Sequence, residues 1–168
     1  TGLVAADISK IKDLQRQLQD MADRDVLTES YNRRKILEIA GLYLKKAKRY
    51  QQDLAVLVFD LDHFKQVNDT FGHAVGDCIL CGFVQKVHAE LRKPDELGRL
   101  GGEEFVAILP DTSAVSALAL AERIRCKIAD WYPEQLAGQQ ITSSIGIAGF
   151  SLSLQSIDEL MAAADHAL

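Results

Sequence analysis

The sequence predicts an α+β fold: a ferredoxin-like antiparallel sheet of βαββαβ order, flanked by helices and preceded by a linker helix. Three observations predict it. Leu54–Leu61 (LAVLVFDL) is a short, unbroken apolar run of the kind that forms a strand buried on both faces. Gly101 and Gly102 separate two further apolar runs, residues 97–100 and 105–109, as a hairpin turn separates its strands. Segments of helical periodicity lie between these strands, so the order after the linker reads α-β-α-β-β-α-β-α.

Residues 1–24 are polar with a thin apolar stripe. Val4, Ile11 and Leu18 recur at seven-residue spacing, with Leu14 and Met21 between them. That is an a/d seam over about three heptads, which predicts a coiled-coil signalling or linker helix able to join two copies of the chain. Residues 25–168 form the second unit. Asn32 is a plausible N-cap for a helix whose apolar face is Ile36, Leu37, Ala40, Leu44 and Ala47, ending near Tyr50. After Leu54–Leu61 a polar loop with a helical turn is expected through Gly72 and Gly76, then a helix over residues 78–91 stopped by Pro94. Beyond the hairpin, residues 110–112 break the strand and start a helix to about Trp131. A strand of small residues over 141–150 and a helix from Ser156 complete the pattern.

Composition narrows the function. An apolar fraction of 48% supplies a sizeable core, and a net charge of −5 argues against a nucleic-acid partner, whose phosphates need clustered cations. A nucleotide substrate stays open, because a metal ion can carry phosphate charge. No apolar run reaches the roughly 20 residues of a membrane span, and no charged-then-apolar leader opens the chain. Three cysteines give no disulfide framework; Cys78-x-x-Cys81 reads as helix thiols, and a reducing cytoplasm is the expected location of the domain.

The acids are the first candidates for chemistry. Asp60 and Asp62 close the apolar strand, one expected to face a site while the other anchors a loop. Glu103 and Glu104 follow the glycine pair. If the strand lies beside the hairpin, Asp60 meets one of these glutamates, and such acids repel one another unless a cation holds them. Hard oxygen donors suit magnesium or manganese; solvated turn acids are the plainer reading of the same residues. Asn68 and Asp77 carry side chains that can read the hydrogen-bonding edge of a purine, although both also suit turns and caps. Neither G-x-x-x-x-G-K-[ST] nor G-x-G-x-x-G occurs, so phosphate must be met by metal, by backbone amides near residues 60–65, and by scattered cations.

Four blocks in order resemble the GGDEF family of diguanylate cyclases: DVLTESYNRR at 25–34, FDLDHFKQVND at 59–69 with Gly72-His73 and Gly76-Asp77, the GGEEF signature at 101–105, and SIGIA at 144–148. The resemblance covers about residues 24–168. It implies a palm-type sheet and the condensation of two GTP into cyclic di-GMP with release of two pyrophosphates, one GTP per subunit across a homodimer. It implies a pair of divalent cations, Mg2+ or Mn2+, in each active site, held by Asp60, the carbonyl of Leu61, and Glu103. Glu104 is implied in tuning or proton transfer, Asn68 and Asp77 in guanine contact, Leu27, Phe64 and Leu80 in lining the pocket, and Lys65 and Arg99 near the phosphates. Arg92-Lys93-Pro94-Asp95 stands where the family carries its R-x-x-D inhibitory motif, and Arg123 resembles a further product-binding arginine. Feedback inhibition by cyclic di-GMP and an upstream sensory domain, which a membrane can anchor, follow from the same resemblance.

The chain departs from the family in two places. Glu29 and Ser30 stand where Gly-Leu is common, and the last residues, Asp165-His-Ala-Leu168, stop short of the usual Y-x-A-K and G-[RK]-N-like end that holds the outer phosphates. Weak substrate binding or slow turnover is expected of this length of chain. Two other readings compete with an active cyclase: a catalytically silent module that senses GTP or cyclic di-GMP through Arg92 and Asp95, and another palm-type nucleotidyl cyclase.

Overall fold

A computed structural model describes residues 8, 10, 12, 19, 21–151 and 156–167. Its sheet has four strands, β1 (Leu54–Leu61), β2 (Glu96–Gly101), β3 (Glu104–Pro110) and β4 (Ser143–Gly149), in the order β2-β3-β1-β4. Every neighbouring pair is antiparallel. The helices are α1 (Arg33–Tyr50), α2 (Phe64–Phe71), α3 (His73–Glu90), α4 (Ala114–Ala129) and α5 (Ile157–Asp165). This is the predicted βαββαβ arrangement with α1 added before it and α5 after it.

Alternation along the central strands divides the core into two layers. Ala55, Leu57, Phe59 and Leu61 of β1 join Phe105, Ala107 and Leu109 of β3 beneath α2, α3 and α4. Leu54, Val56 and Val58 join Val106 and Ile108 on the other side, under α1 and α5. An unbroken apolar run was therefore the right signature for β1, which meets helices on both faces. Phe83 of α3 anchors the first layer. Its ring lies 5.8 Å from Phe59 at 75° and 5.0 Å from Phe105 at 43°, contacts worth about 0.5–1.5 kcal/mol each beyond burial.

Local signals account for most boundaries. The Asn32 side chain accepts from Lys35 N, capping α1 as expected. Ser113 caps α4 by accepting from Ser116 N, and Ser156 and Glu159 form a reciprocal capping box at α5. The region expected to be a polar loop with a helical turn is instead α2 and the first turn of α3, which break at Gly72, while the helix expected over residues 78–91 is the rest of α3. Gly76, read as part of that loop, is buried inside α3, which therefore begins at His73 rather than residue 78. The helix after the hairpin ends at Ala129, and a short 3-10 turn, Glu134–Leu136, buries Leu136 before β4.

The segment before α1 is tied to the sheet. Tyr31 bridges Gly98 in parallel, its N–H donating to Leu97 O and its carbonyl accepting from Arg99 N. Of the expected linker seam, Val4, Ile11, Leu14 and Leu18 lie outside the described residues. Met21 is helical and 76% exposed.

Candidate active site

The register of β1 on β3 builds the site. Asp60 stands opposite Glu104, so the end of the central strand meets the first residue after the glycine turn. Glu103 sits in the turn, half-buried, and Glu104 is exposed. Gly101 (φ 155°) and Gly102 (φ 51°) adopt backbone angles that side chains disfavour, which lets the strand reverse over two residues. A register shift between Arg99 and Gly101 bends the hairpin there.

Arg99 latches this turn. Its Nε and Nη2 donate to Gly102 O at 3.0 and 2.8 Å, and Nη1 donates to Asp25 Oδ1 at 3.1 Å. The same Asp25 oxygen accepts from Thr28 N and Thr28 Oγ1. Burial alone would push the Asp25 carboxyl up, but the bonds from Thr28 and Arg99 outweigh it and leave the group below its ordinary range. The implied phosphate contact Arg99 is thus already committed to holding the signature turn. Lys65, in the first turn of α2, is exposed.

Asp60 is half-buried, and burial, then Glu103, Glu104, Asp62 and Asp165, push its carboxyl above the usual carboxylate value. Like charges gathered at one strand end are destabilising unless a cation neutralises them. Among the described residues, no three Asp, Glu, His or Cys side chains converge into a closed metal cage. That does not conflict with a magnesium site, because Mg2+ typically takes one or two carboxylates and completes its shell with water and substrate phosphate. The donors present, two carboxylates and the backbone of Leu61, are hard oxygens that fit such an ion. Asp62 adds its charge to this end of the sheet, but its carboxylate is bonded elsewhere. Two residues apart, it would share the face of Asp60 on a longer strand, but β1 ends at Leu61 and Asp62 instead binds Thr142 and Ser144.

The residues expected to meet the base sit on the segment before α1 and on α2 and α3. Phe64 and Leu80 are buried, Leu27 and Asn68 half-buried, and Asp77 exposed. An added Cβ at Gly76 would stand 2.0 Å from Asn68 Oδ1 and 3.2 Å from Phe64 Cζ, so glycine is what allows Asn68 to lie against α3 next to Asp77. Leu27 reaches the same helix through its carbonyl, which accepts from Cys81 Sγ at 3.3 Å. Burial, ahead of nearby charge, pushes the Cys81 thiol up, in keeping with an unreactive helix cysteine.

The structure does not bring the inhibitory-motif residues to this end. Asp95 precedes β2 and Pro110 ends β3, so they mark the base of the hairpin while Gly101–Glu104 mark its tip. Arg92 donates three times to Asp95, its backbone N–H to Oδ2 at 2.8 Å, Nη2 to Oδ1 at 3.0 Å and Nε to Oδ2 at 3.3 Å, and Nη2 also donates to Pro110 O and Thr112 Oγ1. The Asp95 side chain is 0% exposed. Arg123 pairs with Glu90 through its side chain and carbonyl.

Sequence reasoning missed three participants. Asp165 at the end of α5 adds charge beside Asp60, Asp25 steers Arg99, and Ser144 holds Asp62. Asp25 and Ser144 each lie within a block quoted above without a role; nothing local marked Asp165.

An antiparallel sheet with acids at the end of its central strand and at a glycine hairpin is an architecture that the comparisons place in a family. The family model "Diguanylate cyclase, GGDEF domain" matches residues 22–168, so the chain belongs to the GGDEF family. It is 38% identical over 165 residues to the diguanylate cyclase DgcM of Escherichia coli K12, covering 98% of this chain and 40% of that protein. The chain thus spans less than half the length of that relative. The coiled coil and GGDEF domain of DgcB from Caulobacter crescentus, solved with c-di-GMP, superposes with a TM-score of 0.90 at 26% identity, covering 98% of this chain and 87% of that one. The active GGEEF domain of a diguanylate cyclase from Vibrio cholerae gives a TM-score of 0.77 at 33% identity, with 82% and 87% covered.

Proposed function

We propose that this domain condenses two GTP into cyclic di-GMP, releasing two pyrophosphates. The observation that carries the reading is the register that sets Asp60 opposite the GGEEF turn, with Asn68 of α2 lying against Gly76, the residue before Asp77 in α3. In each of two identical steps a ribose 3′-hydroxyl attacks the α-phosphorus of the facing GTP. A P–O bond forms, the bond to pyrophosphate breaks, and the hydroxyl proton leaves.

Asp60, the Leu61 carbonyl and Glu103 would hold a pair of Mg2+ or Mn2+ ions, which when bound stabilise the 3′-oxygen and the charge on the phosphates. Glu104 faces the same end of β1 and is placed to tune or accept the proton. Asn68 and Asp77 orient the guanine over Leu27, Phe64 and Leu80. Lys65 meets phosphate, and Arg99 shapes the turn that does. Product returns to Arg92 and Arg123, with the shielded Asp95 contributing by holding Arg92.

Each domain carries half a site, so the active form is a homodimer, joined through residues 1–24 and governed by an upstream sensory domain. The domain works in the cytoplasm. The test is incubation of the full chain with GTP and Mg2+ and identification of products by mass spectrometry. Cyclic di-GMP with pyrophosphate is expected, and no cyclic dinucleotide at any protein concentration overturns the reading.

A further inference from the structure

Asp62 is part of the acid pair that ends β1, yet its carboxylate is fully engaged away from Asp60. Thr142 Oγ1 donates to Oδ2 at 2.6 Å and Ser144 Oγ donates to Oδ1 at 2.7 Å. The Asp62 N–H donates to Thr142 O at 3.0 Å, and Ser143 Oγ donates to the Asp60 carbonyl at 2.9 Å. Three consecutive hydroxyl residues at the start of β4 therefore staple the last residues of β1. Hydroxyl bonds to a carboxylate at these lengths are charge-assisted and stronger than neutral ones.

What the staple restrains is the part of the chain with most reason to move. Asp60 lies among acids that repel it. Leu61 is the last paired residue of β1, opposite Ser143. Directly after Asp62, His63 has φ 58°, an uncommon value for a residue with a side chain, and the backbone turns there into α2. The Leu61 carbonyl and the first amides of α2 thus take their positions from wherever Asp62 is fixed.

We propose that Asp62, gripped by Thr142 and Ser144, is a positioning residue: it fixes the Asp60–Leu61 end of β1 so that the carboxylate and carbonyl stand ready for a divalent cation, without itself being a ligand. This gives the SIGIA block its role, since Ser144 opens it. The inference rests on the reading of Asp60 and Leu61 as cation-holding groups.

The test compares the wild-type chain with Asp62→Ala, Thr142→Ala/Ser144→Ala and Ser144→Thr. The affinity of a non-hydrolysable GTP analogue is measured with and without Mn2+, alongside hydrogen exchange at residues 61–63 in metal-free protein. The first two variants should each lose about 10- to 100-fold of the Mn2+-dependent affinity and exchange faster at 61–63. Ser144→Thr, which keeps the hydroxyl, should stay within about twofold of wild type. Undisturbed affinity and exchange in the hydroxyl variant overturn the proposal, and if only Asp62→Ala loses affinity, Asp62 is itself a ligand. Should one of the first two variants fail to fold, Thr142→Ala and Ser144→Ala singly decide the question by the same two readouts. Wild type with no Mn2+-dependent binding sinks the cation reading of Asp60 and Leu61 instead, while its exchange data still report on the staple.

Discussion

Glu103 shares its end of the sheet with Asp60, and after burial its charge is the largest cause that pushes the Asp60 carboxyl up. Glu103→Gln removes one of these charges and keeps the shape, so turnover should vanish while the melting temperature holds or rises slightly. Retained cyclic di-GMP synthesis would take Glu103 out of the cation site. Glu29 makes a second residue-level case. Its φ is 60°, in a region that costs a non-glycine residue roughly 1–2 kcal/mol, and the family commonly has glycine there. Glu29→Gly should stabilise the domain by about 0.5–1 kcal/mol in urea unfolding, the gain being trimmed by the added freedom of glycine in the unfolded chain. Its neighbour Ser30 is fully buried and bonded to Thr28 Oγ1, a polar pair where the family commonly packs leucine.

Asp25 ties the pH response to the turn. Because its folded pKa lies below the unfolded value of about 3.9, its contribution to stability is present above that pH and is lost as pH falls through the folded value. The stability gap between wild type and Asp25→Asn should therefore be full at pH 7 and shrink below about pH 4. A gap that widens on acidification would contradict the assignment.

At the scale of elements, Gly76 decides how closely α2 and α3 approach. A methyl group there collides with Asn68, so Gly76→Ala should raise the KM for GTP by about 10-fold or more, as the loss of a base-reading hydrogen bond would, with a smaller effect on kcat. A normal KM would show that Asn68 does not read the base. Legibility also differed by element. β1 was plain because a strand between two helical layers has no polar face to interrupt its apolar run. Helix α2 and the first turn of α3 were not, because Asn68, Asp69, Gly72 and Gly76 carry the composition of a turn. Close packing between two helices requires a small residue at the contact, and in a single sequence that glycine looks like a breaker. Arg99 was placed near phosphate by family resemblance, whereas its bonds to Gly102 and Asp25 depend on a chain reversal that no local pattern encodes.

For the whole molecule, the proposed half-site per domain would make activity a property of pairs. Specific activity should rise with protein concentration across the dimerisation range and fall on dilution, and a specific activity independent of concentration for a monomer would contradict the two-subunit reading. The architecture was readable from the order of strands and helices alone. The pairing of Arg92 with the buried Asp95 was not, because burial at the base of the hairpin is set by Pro110 and Thr112, which close over it from the end of β3. Arg92→Ala, which should relieve the proposed product inhibition, also leaves the buried Asp95 carboxylate without its partner, so its inhibition curve needs a melting curve beside it.

Asp60 is carried by a strand with a partner on each side and helices above and below it. Backbone amides in such a strand exchange with solvent only when the entire domain opens. The acid at its end therefore keeps the same clock as the fold. At concentrations where the pair stays assembled, heat should silence this domain when it melts, and activity and melting curves recorded together would check it.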